Sequence, residues 1–164
     1  MLDVHYKITR PDFTTHGGCL WGEGVTHHAS GRGNLCSSGW LHAYSDPLLA
    51  VLLNPIHANY TPFILWKAKG SGLLKNDRGL KLGRSVLTTV RVIPTPIVTT
   101  EDRIRFAILC AGSVFIDPAW NSWANDWLSG KDRANAATYA ANAASTIDLP
   151  KLARQAVEAH YVCP

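Results

Sequence analysis

Long apolar runs are missing from this sequence of 164 residues. The two longest, 48–53 and 106–111, are far shorter than the about 20 residues that span a bilayer. We therefore expect no transmembrane helix and no membrane partner. The first ten residues include Asp3, Lys7 and Arg10 and lack an apolar core, so we expect no secretory signal. Together these absences predict a cytoplasmic protein.

Acidic side chains are few, with three glutamates beside nine aspartates. Asp46, Asp117 and Asp148 each stand where a helix is predicted to begin, which is the position of an N-cap. Glu101 and Asp102 fall in a predicted first helical turn, where the helix dipole favours acids. Few carboxylates remain for acid–base chemistry, which argues against a hydrolase and leaves the prediction leaning away from an enzyme.

The four cysteines, Cys19, Cys36, Cys110 and Cys163, form no C-x-x-C pair. A chain of this length buries a core without covalent cross-links, so we expect free thiols in a reducing compartment. A disulfide between Cys19 and Cys36 is the alternative that the sequence leaves open.

Histidines and cysteines are frequent in residues 16–42, where a metal site or a nucleophile has to be considered. The residues are His16, Cys19, His27, His28, Cys36 and His42. Zinc sites use two short ligand pairs, and only His16 with Cys19 has that spacing, so no metal site is predicted. Cys36 with His42 as its base lacks the surroundings of a nucleophile. Phosphate-loop and dinucleotide motifs are absent, so no cofactor is predicted either.

Positive charge is concentrated in residues 67–91, where seven cations accompany a single acid, Asp77. The cations are Lys67, Lys69, Lys75, Arg78, Lys81, Arg84 and Arg91. We predict that they bind an acidic protein surface or nucleic acid. The alternative is a solvated edge that prevents strands from aggregating. Trp21, Trp40 and Trp66 could stack bases beside this segment, although packing in the core is their expected role.

Runs of β-forming residues predict strands at 4–9, 63–69 and 85–93, with a further short strand or turn at 40–44. The glycines between the last two long strands predict turns at Gly70, Gly72, Gly79 and Gly83. Asp46 and Pro47 begin an apolar, buried helix that Pro55 is predicted to end. This part of the chain therefore predicts an antiparallel-type sheet with one buried helix.

The last third of the chain predicts helices over 100–115, 118–129, 132–145 and 149–161. Trp120, Trp123 and Trp127 fall on one helical face, which we expect to be buried. The predicted fold is α+β in a single domain, 1–164, with a strand-rich part (1–97) and a helical part (98–164). Low charge over 11–66 and seven alanines within 132–145 predict smooth surfaces and a homo-oligomer, most simply a dimer.

One pattern joins Tyr6 and Lys7, the segment Leu-Cys-Ser-Ser-Gly-Trp-Leu-His-Ala-Tyr over 35–44, and Asp-Pro-Leu over 46–48. It is similar to a family of small, mostly phage-encoded proteins of unknown function, over about 4–105. The resemblance implies a viral protein in the host cytoplasm. A weaker likeness to the ADP-ribosyltransferase fold would place His42 and Tyr44 near a catalytic site. In that fold a catalytic glutamate begins a strand, whereas Glu101 is predicted to be helical.

Two functions are therefore expected from the sequence. The first is a phage accessory protein that acts by binding an acidic protein or nucleic acid and inhibits a host defence complex. The alternative is a small transferase of ADP-ribosyltransferase-like type that modifies a nucleotide or nucleic acid.

Overall fold

A computed structural model describes residues 3–131 and 149–157. The chain divides into two compact units, 1–96 and 97–164. Within the described residues, the first unit carries a five-stranded antiparallel sheet and one α-helix, and the second carries three α-helices. The predicted α+β fold class is thus confirmed.

The sheet of the first unit contains β1 (Asp3–Thr9), β2 (Thr26–His28), β3 (Leu41–Ala43), β4 (Ile64–Asn76) and β5 (Leu82–Val92). Its order is β1-β4-β5-β2, and β3 lies beside β2 along the same edge of β5. Beyond β3, Tyr44 exchanges two backbone hydrogen bonds with Tyr6 of β1, at 2.8 and 2.9 Å. The sheet is therefore curved enough for its two edges to meet at this point.

The strand β4 is longer than the sequence predicts, because Gly70 and Gly72 lie within it and do not form turns. The absence of a side chain at Gly70 leaves room for the imidazole of His5, because a Cβ at Gly70 would lie 2.4 Å from His5 Cδ2. Gly72 has a φ of +68° at a register shift between Ser71 and Leu74, a backbone conformation that glycine adopts without strain. The predicted turn at Gly79 is confirmed, while Gly83 belongs to β5.

The buried helix α1 (Pro47–His57) begins as predicted, with Asp46 Oδ1 accepting a hydrogen bond from the backbone N–H of Leu48. The prediction that Pro55 ends it is wrong, since the helix continues to His57. A residue before proline is biased away from the helical region, but tertiary contacts hold Asn54 there. Its side-chain amide donates to the Tyr60 carbonyl at 2.9 Å and accepts from the Tyr60 N–H at 3.1 Å.

The two faces of the sheet differ in burial because side chains alternate along each strand. On the inner face, His5, Lys7 and Thr9 of β1 are buried. The same face packs an apolar cluster of Trp21, Ala43, Ala68, Leu82 and Leu87. The opposite, outer face is more exposed along β4 and β5.

The second unit contains α2 (Thr100–Gly112), α3 (Pro118–Leu128) and α4 (Leu149–Val157). The caps are as predicted: Thr99 and Asp102 form a reciprocal capping box, and Asp117 accepts from the N–H of Trp120. Gly130 follows α3 with a φ of +82°, as expected of a C′ residue. The helix α2 ends at Gly112, earlier than the expected residue 115, because Ser113 and the following residues form a turn.

The tryptophan face of α3 is largely buried, as predicted. Trp120 and Trp127 are buried and Trp123 is half-buried, packing with Ile108 and Ala111 of α2. The predicted helix over 132–145, the cap at Asp148 and the end of the last helix near residue 161 lie outside the described residues. Among the described helices, none is both long and apolar enough to cross a membrane.

Candidate functional site

The seven predicted binding cations do not form one surface, because three of them share an exposed sheet face and the others do not. On β4, Lys67 and Lys69 are two residues apart, so both point to the outer face. Arg91 of β5 lies directly opposite Lys67 in the register. We call Lys67, Lys69 and Arg91 the outer basic face. Lys69 and Arg91 are exposed and Lys67 is half-buried.

The outer basic face has no acidic neighbour among the strand positions around it. Those positions are Val4, Tyr6, Thr26, His28, Val86 and Thr88. Within the described part of the chain, no ion pair or hydrogen bond of side chains engages Lys67, Lys69 or Arg91. No described residue therefore neutralises the positive charge of this face.

Lys75 and Lys81 instead hold the loop that precedes β3. Lys75 Nζ donates to the Gly33 carbonyl at 2.8 Å and lies 5.9 Å from the centroid of the Trp40 ring. Lys81 Nζ donates to Cys36 Sγ at 3.0 Å. Arg78 is exposed in the turn between β4 and β5, with a φ of +48°.

Arg84, one of the seven predicted binding cations, does not lie at the surface. Arg84 is in β5, 5% exposed, with its guanidinium on the inner face. Its Nε donates to His5 Nε2 at 2.9 Å, and its Nη2 forms an ion pair with Asp3. A hydrogen bond to His5 and an ion pair with Asp3, both residues of β1 and distant in sequence, hold this cation away from the solvent.

The same contact fixes the protonation of His5. Because Arg84 Nε–H donates to Nε2, the proton of the neutral imidazole is on Nδ1, which is buried without a hydrogen-bond partner among the described residues. Burial lowers the pKa of His5, and the Arg84 charge lowers it further, against a smaller opposing effect of Asp3.

Sequence reasoning missed Lys7 as a buried cation. Lys7 is 6% exposed, and its Nζ donates to the His42 carbonyl at 3.0 Å and lies 4.3 Å from the centroid of the Trp21 ring. Burial lowers its pKa from 10.5 to about 8, while the charge of Cys19 acts in the opposite direction. The sequence carries no signal for this burial, because β1 alternates apolar Val4, Tyr6 and Ile8 with polar His5, Lys7 and Thr9, a pattern that predicts the polar set to be exposed.

His42 and Tyr44, the predicted catalytic pair of the transferase alternative, both use their polar atoms within the fold. His42 Nε2 donates to the Leu35 carbonyl, and Tyr44 Oη is 3.2 Å from His57 Nδ1. Burial lowers the pKa of His42; the hydrogen bond to the Leu35 carbonyl opposes this, and the charges of Lys7 and Lys81 lower the pKa further. Burial also raises the pKa of Tyr44 and lowers that of His57.

The remaining candidates are the three tryptophans, Glu101 and the cysteines. Trp21, Trp40 and Trp66 are all buried, so their rings are not open to bases. Glu101 lies in α2 and pairs with Arg105 at 3.7 Å. Cys19, Cys36 and Cys110 are free thiols. Within residues 3–131 and 149–157, no group of three or more His, Cys, Asp or Glu is placed to hold a metal ion.

Comparison of the chain with protein-family models, with curated proteins and with solved structures gives no match.

Proposed function

We propose that this protein acts by binding an acidic partner through the outer basic face. In the phage setting that the sequence resemblance implies, the partner belongs to a host defence complex that the binding inhibits. The observation that carries this proposal is that Lys67, Lys69 and Arg91 share one face and have no acidic neighbour among the surrounding strand positions that the structure describes. Such a face attracts negative charge over several ångströms.

The free energy that three exposed ion pairs contribute to binding limits the affinity that the outer basic face can provide. An exposed ion pair contributes about 0.2–1 kcal/mol, so three pairs contribute up to about 3 kcal/mol. That equals about 100-fold in affinity, since about 1.4 kcal/mol corresponds to a factor of ten. The outer basic face therefore supplies orientation and association rate, and neighbouring contacts supply the remaining affinity.

No contact favours the transferase alternative over binding. Hydrogen bonds within the fold engage the side chains of His42 and Tyr44, and Glu101 is helical. Catalysis at this place would require both side chains to exchange these partners for a substrate.

The test is capture of the partner from phage-infected host lysate, with the charge of the outer basic face reversed. The variant carries Lys67→Glu, Lys69→Glu and Arg91→Glu, and Arg78→Glu with Arg32→Glu serves as the control because both residues are exposed elsewhere. We expect the wild type and the control to capture the same partner and the triple variant to lose it by tenfold or more. Equal capture by all three proteins would refute the proposal.

Two further arms identify the partner and its consequence. Nuclease treatment of the lysate abolishes capture if the partner is nucleic acid and leaves it unchanged if the partner is an acidic protein. Phage plating on a host that carries the defence system should improve with the wild-type protein and not with the triple variant.

A further inference from the structure

We propose that Cys36 and Lys81 are an oxidation site, at which a peroxide converts their contact into a covalent sulfur–nitrogen bond. Lys81 Nζ is 3.0 Å from Cys36 Sγ and donates a hydrogen bond to it. Cys36 is exposed and Lys81 is half-buried, so a small peroxide reaches the sulfur directly. The proposal is independent of the outer basic face, to which neither residue belongs.

The loop that carries the thiol is held by hydrogen bonds to two carbonyls that precede Cys36, those of Gly33 and Leu35. The Gly33 carbonyl accepts from Trp40 Nε1 at 3.2 Å and from Lys75 Nζ at 2.8 Å. The Leu35 carbonyl, next to the thiol, accepts from His42 Nε2. These bonds tie the loop to β3 and β4, which orders the sulfur before any reaction.

The lysine is fixed by the end of the β4–β5 hairpin. The Lys81 carbonyl accepts from the backbone N–H of Asp77 at 3.0 Å, and the next residues enter β5. Gly83 of β5 packs so closely against the thiol loop that an added Cβ would lie 2.5 Å from Leu35 Cδ1. Both partners of the contact therefore stand on ordered backbone that packs together.

The other described cysteines lack this combination of access and partner. Cys110 is buried in α2, where burial raises the pKa of its thiol to about 12 and keeps it protonated. Cys19 is half-buried, and no hydrogen bond from an amine reaches its sulfur within the described residues. Selective oxidation is therefore expected at Cys36.

The reaction balances in two steps. The sulfur of Cys36 attacks one oxygen of hydrogen peroxide, the O–O bond breaks, and sulfenic acid and water form; sulfur loses two electrons and peroxide gains them. The lone pair of the neutral Lys81 amine then attacks the sulfur, and the S–O bond breaks. The leaving hydroxide takes the amine proton and departs as water. The sum is thiol, amine and peroxide giving S–NH and two waters.

The test exposes the full chain to hydrogen peroxide and measures its intact mass and its proteolytic peptides. We expect a loss of two hydrogens, about 2 Da, reversed by dithiothreitol, with a peptide that joins residues 36 and 81. Cys36→Ser, Lys81→Arg and Lys81→Gln should each abolish this mass loss. Cys19→Ser should retain the mass loss. This variant is the control for a disulfide between Cys19 and Cys36, whose formation would also remove two hydrogens.

Peptide mapping of the wild type decides the outcome without relying on the folding of any variant. A gain of 16 or 32 Da at Cys36, a disulfide to Cys19, a covalent dimer or no change at all would each overturn the proposal. So would a mass loss that persists in both Lys81 variants.

Discussion

Replacing Lys7 with methionine should stabilise the protein at neutral pH, because the ammonium is buried with little compensation. The pKa of Lys7 falls from 10.5 to about 8 in the folded state. At about 1.4 kcal/mol per pH unit, the charged form costs about 3 kcal/mol relative to the neutral amine. Methionine fills a similar volume but loses the hydrogen bond to the His42 carbonyl and the ammonium contact with the Trp21 ring, which together offset about 2 kcal/mol. The expected net gain at pH 7 is about 1 kcal/mol.

The sign of the effect should change with pH. Between about pH 8 and 10.5 the unfolded chain binds a proton at Lys7 that the folded chain has released, so wild-type stability rises with pH. The penalty is fully present below about pH 8 and gone above about pH 10.5. We therefore expect Lys7→Met to be more stable at pH 7 and about 2 kcal/mol less stable near pH 10.5, where only the lost contacts of the amine remain.

The assay is urea unfolding, followed by tryptophan fluorescence at several pH values from 7 to 10.5. Other titrating groups cancel in the difference between the wild type and the variant. Lys67→Met is the matched control, because Lys67 lies on the outer face, opposite Tyr6. The difference measured for Lys7→Met is compared with that for Lys67→Met at each pH. A pH-independent difference for Lys7→Met would refute the argument that this lysine is buried at a cost.

Three further outcomes follow from the packing, the caps and the surface. Trp127→Ala should lower the free energy of unfolding, measured thermally or in urea, by about 3–5 kcal/mol. Trp123→Ala should lower it by clearly less, because Trp123 is half-buried, and equal losses would contradict the burial of this face. Asp46→Ala should cost about 1 kcal/mol and Asp46→Asn much less, because asparagine still accepts from the Leu48 N–H. Light scattering at micromolar concentration should give a dimer, and a monomeric mass would remove the predicted homo-oligomer.

Local signals predicted the elements whose ends are set by neighbouring residues. Asp46, Thr99 and Asp117 cap their helices as expected, because an N-cap needs only a side chain and the next backbone N–H groups. Runs of β-forming residues located the three long strands, although β4 continues past its predicted end. Pro55 misled the prediction, since the hydrogen bonds that keep Asn54 helical come from Tyr60, beyond the helix.

The site could be predicted only in part, because the sequence does not show to which face of the sheet a charged side chain points until the pairing register of the strands is known. The seven cations lie close together in the sequence, yet Lys67 and Lys69 point to the outer face of the sheet and Arg84 points to the inner face. The partners that decide this are distant: Arg84 meets Asp3, 81 residues away, and Lys7 meets His42, 35 residues away. Composition alone does not contain such pairings.

The inward orientation of Arg84 predicts that its charge reversal disrupts the fold and not a binding surface. Arg84→Glu would place a carboxylate, buried on the inner face, beside Asp3 and remove the donor to His5 Nε2. Because position 84 is buried, an unpaired carboxylate placed there costs about 3–5 kcal/mol. Arg91→Glu, seven residues along the same strand, should leave stability nearly unchanged and weaken partner binding.

Circular dichroism during thermal unfolding separates the two variants. Arg84→Glu should unfold at a clearly lower temperature, and any loss of binding should follow the loss of folded protein. Arg91→Glu should unfold with the wild type and still bind less. If Arg84→Glu were as stable as the wild type, the inward orientation of Arg84 would be refuted, and Arg84 would be grouped with the cations of the outer face.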